Sequence, residues 1–131
     1  MNYLLDTHVL LWALNNSNNL PENIKEILSN ENNNIFVSVA SLWEAEIKHL
    51  KYPESFDDTS FMLETSLMFT DYNLINIEAD DVNSLYSIVD NKVHNDPFDH
   101  ILLATAKNRG LTLITHDKKM SEYKSVNFIV F

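Results

Sequence analysis

The chain has 131 residues, 45% of them hydrophobic, which predicts one globular domain with a core of its own. Its formal net charge of −10 excludes a protein that coats nucleic acid through bulk electrostatic attraction. There is no cysteine for disulfides or thiolate metal sites, no membrane-length apolar run and no signal peptide, so we expect a cytosolic protein without a membrane partner.

Short apolar runs alternate with amphipathic segments along the chain. In chain order the sequence predicts strand 2–6, helix 8–15, helix 22–29, strand 35–37, helix 42–50, helix 57–71, strand 74–77, helix 79–89, helix 97–109, strand 111–114 and strand 127–130. Thr7 is predicted to cap the first helix, Pro21 to open the second and Gly110 to end the helix at 97–109. This alternation indicates an α/β fold: a single-domain parallel-sheet sandwich of about five short strands with helices on both faces.

Four acidic residues occupy matching places relative to these elements. Asp6 ends the first strand, Glu44 lies in the first turns after the second, Asp117 follows the fourth, and Asp99 lies in the first turn after Pro97. Ligands of open parallel sheets bind beyond the carboxyl ends of the strands, and topology alone brings three of these acids to that edge. Asp99 joins them if its helix also begins there. Four carboxylates together would form an oxygen-lined site for a hard divalent cation.

Each of these acids also has a structural explanation. Asp6 could cap the first helix, and Asp117 could be a turn residue. Glu44 has the spacing of a capping box with Ser41 and of an i,i+4 ion pair with Lys48. Taken singly, each acid is better explained by structure, but their convergence at one edge favours function.

Two positions of this set need separate comment. Asp99 shares a helix face with apolar residues and therefore requires compensation, although its first-turn position offers free backbone N–H groups. Asp96, directly before Pro97, is a predicted N-cap. Periodicity leaves Glu44 and Glu46 unresolved, because Glu46 lies nearer the centre of the predicted apolar face and Glu44 at its border.

Four sequence blocks follow one another in a recognisable order. They are LLDTHVLLW at 4–12, SLWE at 41–44, HNDPFD at 94–99 and GLTLITHD at 110–117. In these blocks the chain resembles, from end to end, a PIN domain of the VapC toxin type, so that residues 1–131 would form one PIN-like nuclease domain. The resemblance implies an endoribonuclease dependent on Mg²⁺ or Mn²⁺, often the toxin of a type II toxin–antitoxin pair. Its partners would be RNA and a cognate antitoxin, with a homodimer as a further assembly.

The resemblance also assigns residues. It maps the family's catalytic and metal-binding acidic quartet onto Asp6, Glu44, Asp99 and Asp117. This mapping selects Glu44 over Glu46, whose place in the family is small or apolar. Thr115 matches a hydroxyl position near the quartet and Asp96 an extra acid, both in supporting roles. His100 departs from the family pattern, because this subgroup usually has Arg there.

Further side chains flank the proposed site. The RNA backbone could be held by the lysines at its border, although ordinary solvated surface explains them equally well: Lys48, Lys51, Lys118 and Lys119. Zinc is disfavoured because the histidines lack paired ligand spacing, although His94 and His116 lie near enough to touch phosphate. Two other functions stay open: a receiver-type acidic Mg²⁺-binding signalling module, and a catalytically silent PIN-like binding domain.

The helix at 57–71 carries more apolar residues than one core-facing stripe requires. Part of this surface should be exposed on a lone domain, and exposed apolar patches mark interfaces. We expect this helix, with the helix at 22–29, to form a groove for an antitoxin segment or a dimer mate. The alternative is complete packing against neighbouring helices.

Overall fold

The computed structural model describes residues 1–88 and 95–131. Its centre is a five-stranded, wholly parallel sheet in the order β3-β2-β1-β4-β5. The strands are β1 (Asn2–Leu5), β2 (Asn34–Ser38), β3 (Asn73–Ile75), β4 (Thr112–Thr115) and β5 (Asn127–Val130). The predicted α/β class with five short parallel strands is therefore confirmed. The order differs from the 2-1-3-4-5 arrangement of receiver-type folds, so the receiver alternative is wrong.

Helices connect the strands in the described part of the chain. They are α1 (Thr7–Leu14), α2 (Glu22–Ser29), α3 (Val39–Lys51), α4 (Ser60–Leu67), α5 (Ala79–Asn83), α6 (Leu85–Ile88) and α7 (Pro97–Arg109). A 3₁₀ turn at Met120–Glu122 precedes β5. Among residues 1–88 and 95–131, no helix has the length and apolar character needed to cross a membrane.

Two hydrophobic clusters cover the two faces of the sheet. Tyr3 and Leu5 of β1 join the cluster built with α1 to α4, whereas Leu4 joins the cluster built mainly with α7. The same alternation places Leu113 and Ile114 of β4 in opposite clusters. Because both faces are covered, the strands read as continuous apolar runs. The sheet is thus the middle layer of the predicted sandwich.

Strand β1 lies at the point where the order of strand addition reverses. The chain moves from β1 to β2 on one side and later returns to β4 on the other. A crevice outside the carboxyl ends of the strands forms at such a switch point. The residue that follows β1, Asp6, therefore stands at the centre of this edge.

The boundaries of several elements differ from the prediction. Asp6, not Thr7, occupies the N-cap of α1, and the Thr7 hydroxyl instead donates to Ser41 Oγ at 2.9 Å. Helix α4 is shorter than 57–71, because Thr59 caps it by accepting from the Met62 N–H. The predicted helix 79–89 is divided at Ser84 into α5 and α6, and its last residue, Val89, lies outside the described residues.

Both ends of α7 behave as the sequence predicts. The Asp96 side chain accepts hydrogen bonds from the N–H groups of Phe98 at 2.9 Å and Asp99 at 3.4 Å. Gly110 ends the helix in the left-handed region at φ 66°, which costs least for glycine. The N-terminus of α7 is thereby fixed close to its predicted residue.

Candidate functional site

The structure brings the four predicted acids to one edge of the sheet. Asp6 directly follows β1, Glu44 lies in the second turn of α3, and Asp117 comes two residues after β4. Asp99 is the third residue of α7, and its carboxylate lies within electrostatic range of the other three. The condition set by the sequence, that α7 begins at this edge, is met.

Burial makes this group of carboxylates unusual. Asp6, Glu44 and Asp99 are only 6%, 5% and 8% exposed, whereas Asp117 is half-buried. Water therefore screens their mutual repulsion poorly, and ionised carboxylates in such surroundings are costly unless a proton or a cation compensates them. We refer to Asp6, Glu44, Asp99 and Asp117 as the carboxylate cluster.

The pKa values of two members record this cost. Burial, followed by repulsion from Asp6, Asp96, Glu44 and Asp117, raises the pKa of Asp99 to about 8. Burial also raises the pKa of Asp6, although a hydrogen bond from Thr115 opposes the increase. Near neutral pH, the unliganded site therefore retains a proton on Asp99.

One carboxylate oxygen of Glu44 is paired with a cation and the other is not. Its Oε2 forms an ion pair with Lys48 Nζ at 2.9 Å, the i,i+4 pair that its spacing allows. The capping-box interpretation is wrong, because α3 is capped by Ser38 and Ser41 lies inside the helix. Glu44 Oε1 is buried without a hydrogen-bond partner in the described structure. A buried unpaired carboxylate oxygen is costly, so this atom needs a ligand.

Thr115 connects two members of the carboxylate cluster. Its hydroxyl donates to Asp6 Oδ2 at 2.6 Å and accepts from the Asp117 N–H at 3.0 Å. The Asp6 backbone is also fixed, since its N–H donates to the Ile114 carbonyl at 3.0 Å. Asp6 is thus held from both its main chain and its side chain, in the orientation that β4 sets.

The donor set fits a hard divalent cation in chemistry, although it is not yet closed around one. It consists of carboxylates, which Mg²⁺ and Mn²⁺ prefer, and one buried oxygen is without a partner. Among residues 1–88 and 95–131, no group of three acidic or histidine side chains is arranged to hold a metal ion as it stands. Binding therefore requires side-chain rotation within the carboxylate cluster.

The structure also separates Glu44 from Glu46. Glu46 is half-buried, and its Oε2 accepts the Ser60 N–H at 2.6 Å at the start of α4. That hydrogen bond lowers the pKa of Glu46. Periodicity left the two residues unresolved, with Glu46 nearer the centre of the predicted apolar face. That face included Trp43 and Leu50, but both side chains are exposed. The buried face of α3 carries Glu44 instead.

The flanking lysines differ in their surroundings. Lys48 is engaged by Glu44 and lies over the Phe56 ring, with Nζ 5.5 Å from the centroid. Lys51 lies exposed at the end of α3. Lys118 and Lys119 are exposed beside Asp117. His94, the other histidine expected near phosphate, lies outside the described residues.

Sequence reasoning missed an aromatic group beside the carboxylate cluster. Trp12 on α1 lies close to His116 and Phe131, with ring centroids 5.4 Å and 6.2 Å apart. The signal was present, because His116 is adjacent to Asp117 and Trp12 lies within two helical turns of Asp6. The group was overlooked because Phe131, directly after β5, is distant in sequence from Trp12 and contacts its ring only in the folded protein.

Solved structures with the same fold include proteins of toxin–antitoxin systems. VapBC2 from Rickettsia felis, bound to a promoter DNA fragment, matches at 19% identity and a TM-score of 0.74 over 99% of this chain and 98% of that one. VapBC-5 from Mycobacterium tuberculosis matches at 18% identity and a TM-score of 0.65 over 99% of this chain and 98% of that one. A toxin–antitoxin complex from Klebsiella pneumoniae matches at 22% identity and a TM-score of 0.61 over 97% of this chain and 95% of that one. At these identities the likeness shows the fold alone.

Family membership follows from a different comparison. No curated protein is a significant match to the chain. The family model of the PIN domain, in contrast, matches residues 3–126 and so spans nearly all of the sequence. Three members of the carboxylate cluster follow strands of the sheet within this span, and the fourth opens α7. The chain belongs to the PIN domain family.

Proposed function

We propose that this protein is a metal-dependent endoribonuclease acting in the cytosol as the toxin of a type II toxin–antitoxin pair. The observation that carries the proposal is the carboxylate cluster at the switch point of the sheet, with Asp6, Glu44 and Asp99 buried and Glu44 Oε1 unpaired. Membership of the PIN domain family supports the nuclease part. Such a cluster is costly for a purely structural protein, because burial strengthens the mutual repulsion of its carboxylates and raises the pKa of Asp99.

We assign the metal ligands within this cluster. Asp6 and Asp99 would hold Mg²⁺ or Mn²⁺ directly, and Glu44 and Asp117 would hold it directly or through water. When bound, the ion polarises the phosphodiester, lowers the pKa of a coordinated water and stabilises charge on the leaving oxygen. Asp99 must release its proton for this role, because its pKa is about 8 in the unliganded site.

Neighbouring residues prepare the ligands. Thr115 holds the Asp6 carboxylate through its 2.6 Å hydrogen bond, and Asp96 fixes the start of α7, which carries Asp99. Lys48 neutralises one oxygen of Glu44 and leaves the other for the cation. We propose Thr115 and Asp96 as supporting residues, which set the geometry of the site without contacting the reacting atoms.

RNA contacts outside the site follow from charge. Lys118 and Lys119 extend into solvent beside Asp117, where they can reach phosphates on either side of the cleaved bond. Lys48 contributes less to RNA binding, because Glu44 already engages its ammonium group. Lys51 lies further along α3 and borders the proposed path.

The partner proposal rests on the similar structures and on charge. One structure with this fold is a toxin–antitoxin complex, and another belongs to the VapBC family of toxin–antitoxin systems. The net charge of −10 favours a partner with basic side chains, one of which could enter the carboxylate cluster. A homodimer is compatible with the same surface, and the two assemblies do not exclude each other.

Substitution at the site tests the nuclease assignment. Asp6→Asn and Asp99→Asn should each lower RNA cleavage in Mg²⁺ or Mn²⁺ by at least about 100-fold, since a lost ligand removes several kcal/mol of charge stabilisation. The metal-free variants should remain folded, because each change also relieves repulsion. Asp80→Asn, an exposed acid of α5, is the matched control and should retain activity.

The outcomes separate the alternatives. Full activity of either site variant, in preparations free of contaminating nuclease, would refute the assignment. An unchanged protein that folds, binds its partner and cleaves no RNA would favour the catalytically silent binding domain. Isothermal titration with Mn²⁺ adds a readout independent of turnover, and Asp6→Asn should weaken this binding.

A further inference from the structure

A cavity of about 360 Å³ opens beside the carboxylate cluster. It is lined by Asp6, His8, Trp12, His116 and Asp117. Its volume lies within the range of roughly 300–1,000 Å³ that small-molecule pockets occupy. The aromatic rings and the proposed metal ligands therefore share one opening, and whatever enters it meets both.

The rings are fixed in position by their neighbours. Phe131 packs against both Trp12 and His116, with ring centroids 6.2 Å and 5.0 Å apart. His116 Nδ1 donates a hydrogen bond to the main-chain oxygen of Phe131, which fixes its ring and tautomer. Trp12 is half-buried, whereas His8 and His116 are exposed. A ligand that binds here finds ring surfaces already held in place.

The charge of the lining decides which group fits. The acidic side chains are Asp6 and Asp117, and none of the described residues that line the cavity is a lysine or arginine. Away from the proposed cation, a phosphate group in this cavity would meet the carboxylates and no lysine or arginine of the lining. A flat, uncharged ring that stacks on aromatic side chains meets no such penalty, and nucleobases are bound in this way by proteins that take single strands.

We propose that this cavity binds the base of the nucleotide adjacent to the phosphodiester held at the carboxylate cluster, with Trp12 as the main stacking surface. The inference rests on the proposed ribonuclease function, because it takes the phosphate position from it. The proposal requires the bound nucleotide to be unpaired, since a base within a duplex cannot reach a ring beside the site. Trp12 and His116 are binding residues in this proposal.

Tryptophan fluorescence tests the contact directly. The chain has two tryptophans, so the Trp43→Phe variant reports on Trp12 alone. The probes are an adenosine hexaribonucleotide and a hexamer of the same charge in which every base is replaced by hydrogen. Binding is measured in Ca²⁺, and gel analysis verifies that the strand stays intact. We expect the first probe to quench Trp12 and to bind roughly fivefold or more tightly than the abasic one.

Substitutions test the same contact without fluorescence. Trp12→Leu should lower affinity for the adenosine hexamer by roughly 5- to 150-fold, and Trp12→Tyr should restore most of it. The abasic hexamer should bind all variants equally. Tyr86→Leu, which removes an exposed ring on α6, is the control and should bind like the unchanged protein. Thermal unfolding of each variant shows whether the fold is retained.

The outcomes test the base subsite separately from the proposed ribonuclease activity. Equal binding of the two probes, or a folded Trp12→Leu variant with unchanged affinity, overturns the base subsite even if the protein cleaves RNA. Base-dependent quenching supports the subsite even if no cleavage is detected, in which case the nuclease proposal fails alone. If the product of the adjacent gene quenches Trp12 fluorescence and neither hexamer does, the proposal is overturned in favour of a peptide occupant.

Discussion

Asp99 illustrates how a single carboxylate can set the response of the whole protein to pH. Its pKa rises from 3.8 to about 8, first through burial and then through repulsion by neighbouring acids. The folded state therefore binds a proton that the unfolded state has already released between these values. Its contribution to stability is complete below pH 3.8 and is lost as the pH rises through about 8.

The metal-free protein should accordingly lose stability as the pH rises from about 4 to about 8, by roughly 1 kcal/mol per pH unit. Asp99→Asn removes the titrating group and should flatten this part of the profile. Thermal unfolding in chelator at a series of pH values checks both statements. A profile of equal slope in the unchanged protein and the variant would contradict the placement of the raised pKa at Asp99.

Glu44 and Glu46 provide a matched pair for activity. Glu44→Gln should lower metal-dependent cleavage at least about tenfold, because it weakens the cation site at the buried unpaired oxygen. Glu46→Ala should keep most activity and lose only its hydrogen bond to Ser60. Initial rates at saturating Mg²⁺ compare the two. The reverse order would mean that Glu46 is the ligand.

At this scale the sequence predicted identities better than surroundings. Asp6, Glu44 and Asp117 could be placed at one edge from parallel topology alone, because each follows a strand, whereas Asp99 could be placed there only on the condition that its helix begins at that edge. Glu44 could not be separated from Glu46 by periodicity, since the exposure of Trp43 depends on tertiary packing. The sequence resemblance supplied what the pattern lacked.

Among the elements, α7 connects the site to the opposite end of the fold. Asp99 lies in its first turn and Arg109 is its last residue. Arg109 donates to Asp81 Oδ2 at 2.6 Å, and Asp81 is completely buried on α5. Burial alone would raise the pKa of Asp81, but hydrogen bonds from Arg109 and Asn108 outweigh it and lower the pKa. This ion pair anchors α7 at the end distant from the site.

Asp81→Ala should therefore destabilise the protein by about 3 kcal/mol, because it removes the carboxylate that pairs with the Arg109 charge. Asp80→Ala, at the adjacent exposed position, should cost less than about 1 kcal/mol. Urea unfolding of both variants measures the difference. Because the folded-state pKa of Asp81 is lowered, its contribution should also disappear on acidification below 3.8. Equal stabilities of the two variants would show that the ion pair contributes little.

The elements themselves were predictable where local signals were strong. Pro97, preceded by the Asp96 cap, and Gly110 mark the two ends of α7 within one residue. The division of residues 79–88 at Ser84 and the shortening of α4 were not, because each depends on caps that compete with hydrophobic periodicity. In α4 the apolar residues after Leu67 were therefore predicted to be helical, although the helix ends there.

At the scale of the whole molecule, the sheet order explains why one edge carries the chemistry. Strand β1 has β2 on one side and β4 on the other, so the segments after these three strands all leave at the same edge. The fold class followed from alternation of strands and helices, but this order did not, because strand adjacency is decided by packing. The acids acquire their electrostatic coupling only in this arrangement.

The exposed side of α4 provides the prediction for assembly. Helix α4 packs on α1 and α3 through Leu63 and Leu67, which are buried, so part of its apolar surface is turned inward. Phe61 and Phe69 are 74% and 88% exposed, as the wide apolar arc predicted. Phe69 lies two residues beyond the end of α4, and exposed aromatic side chains on and beside one helix are typical of an interface. The groove shared with α2 stays a prediction.

Phe61→Ser with Phe69→Ser should leave the isolated protein folded, with a change of less than about 1 kcal/mol, because neither ring contributes to the core. The same pair should weaken association with the antitoxin, or self-association, by at least about tenfold, since buried aromatic anchors dominate interfaces. Tyr86→Ser, on α6, removes an equally exposed ring and should leave association unchanged. Light scattering and co-purification with the adjacent gene product measure both assemblies. Unchanged association in the double variant would move the interface away from α4 and leave the nuclease proposal intact, because the carboxylate cluster lies on other elements.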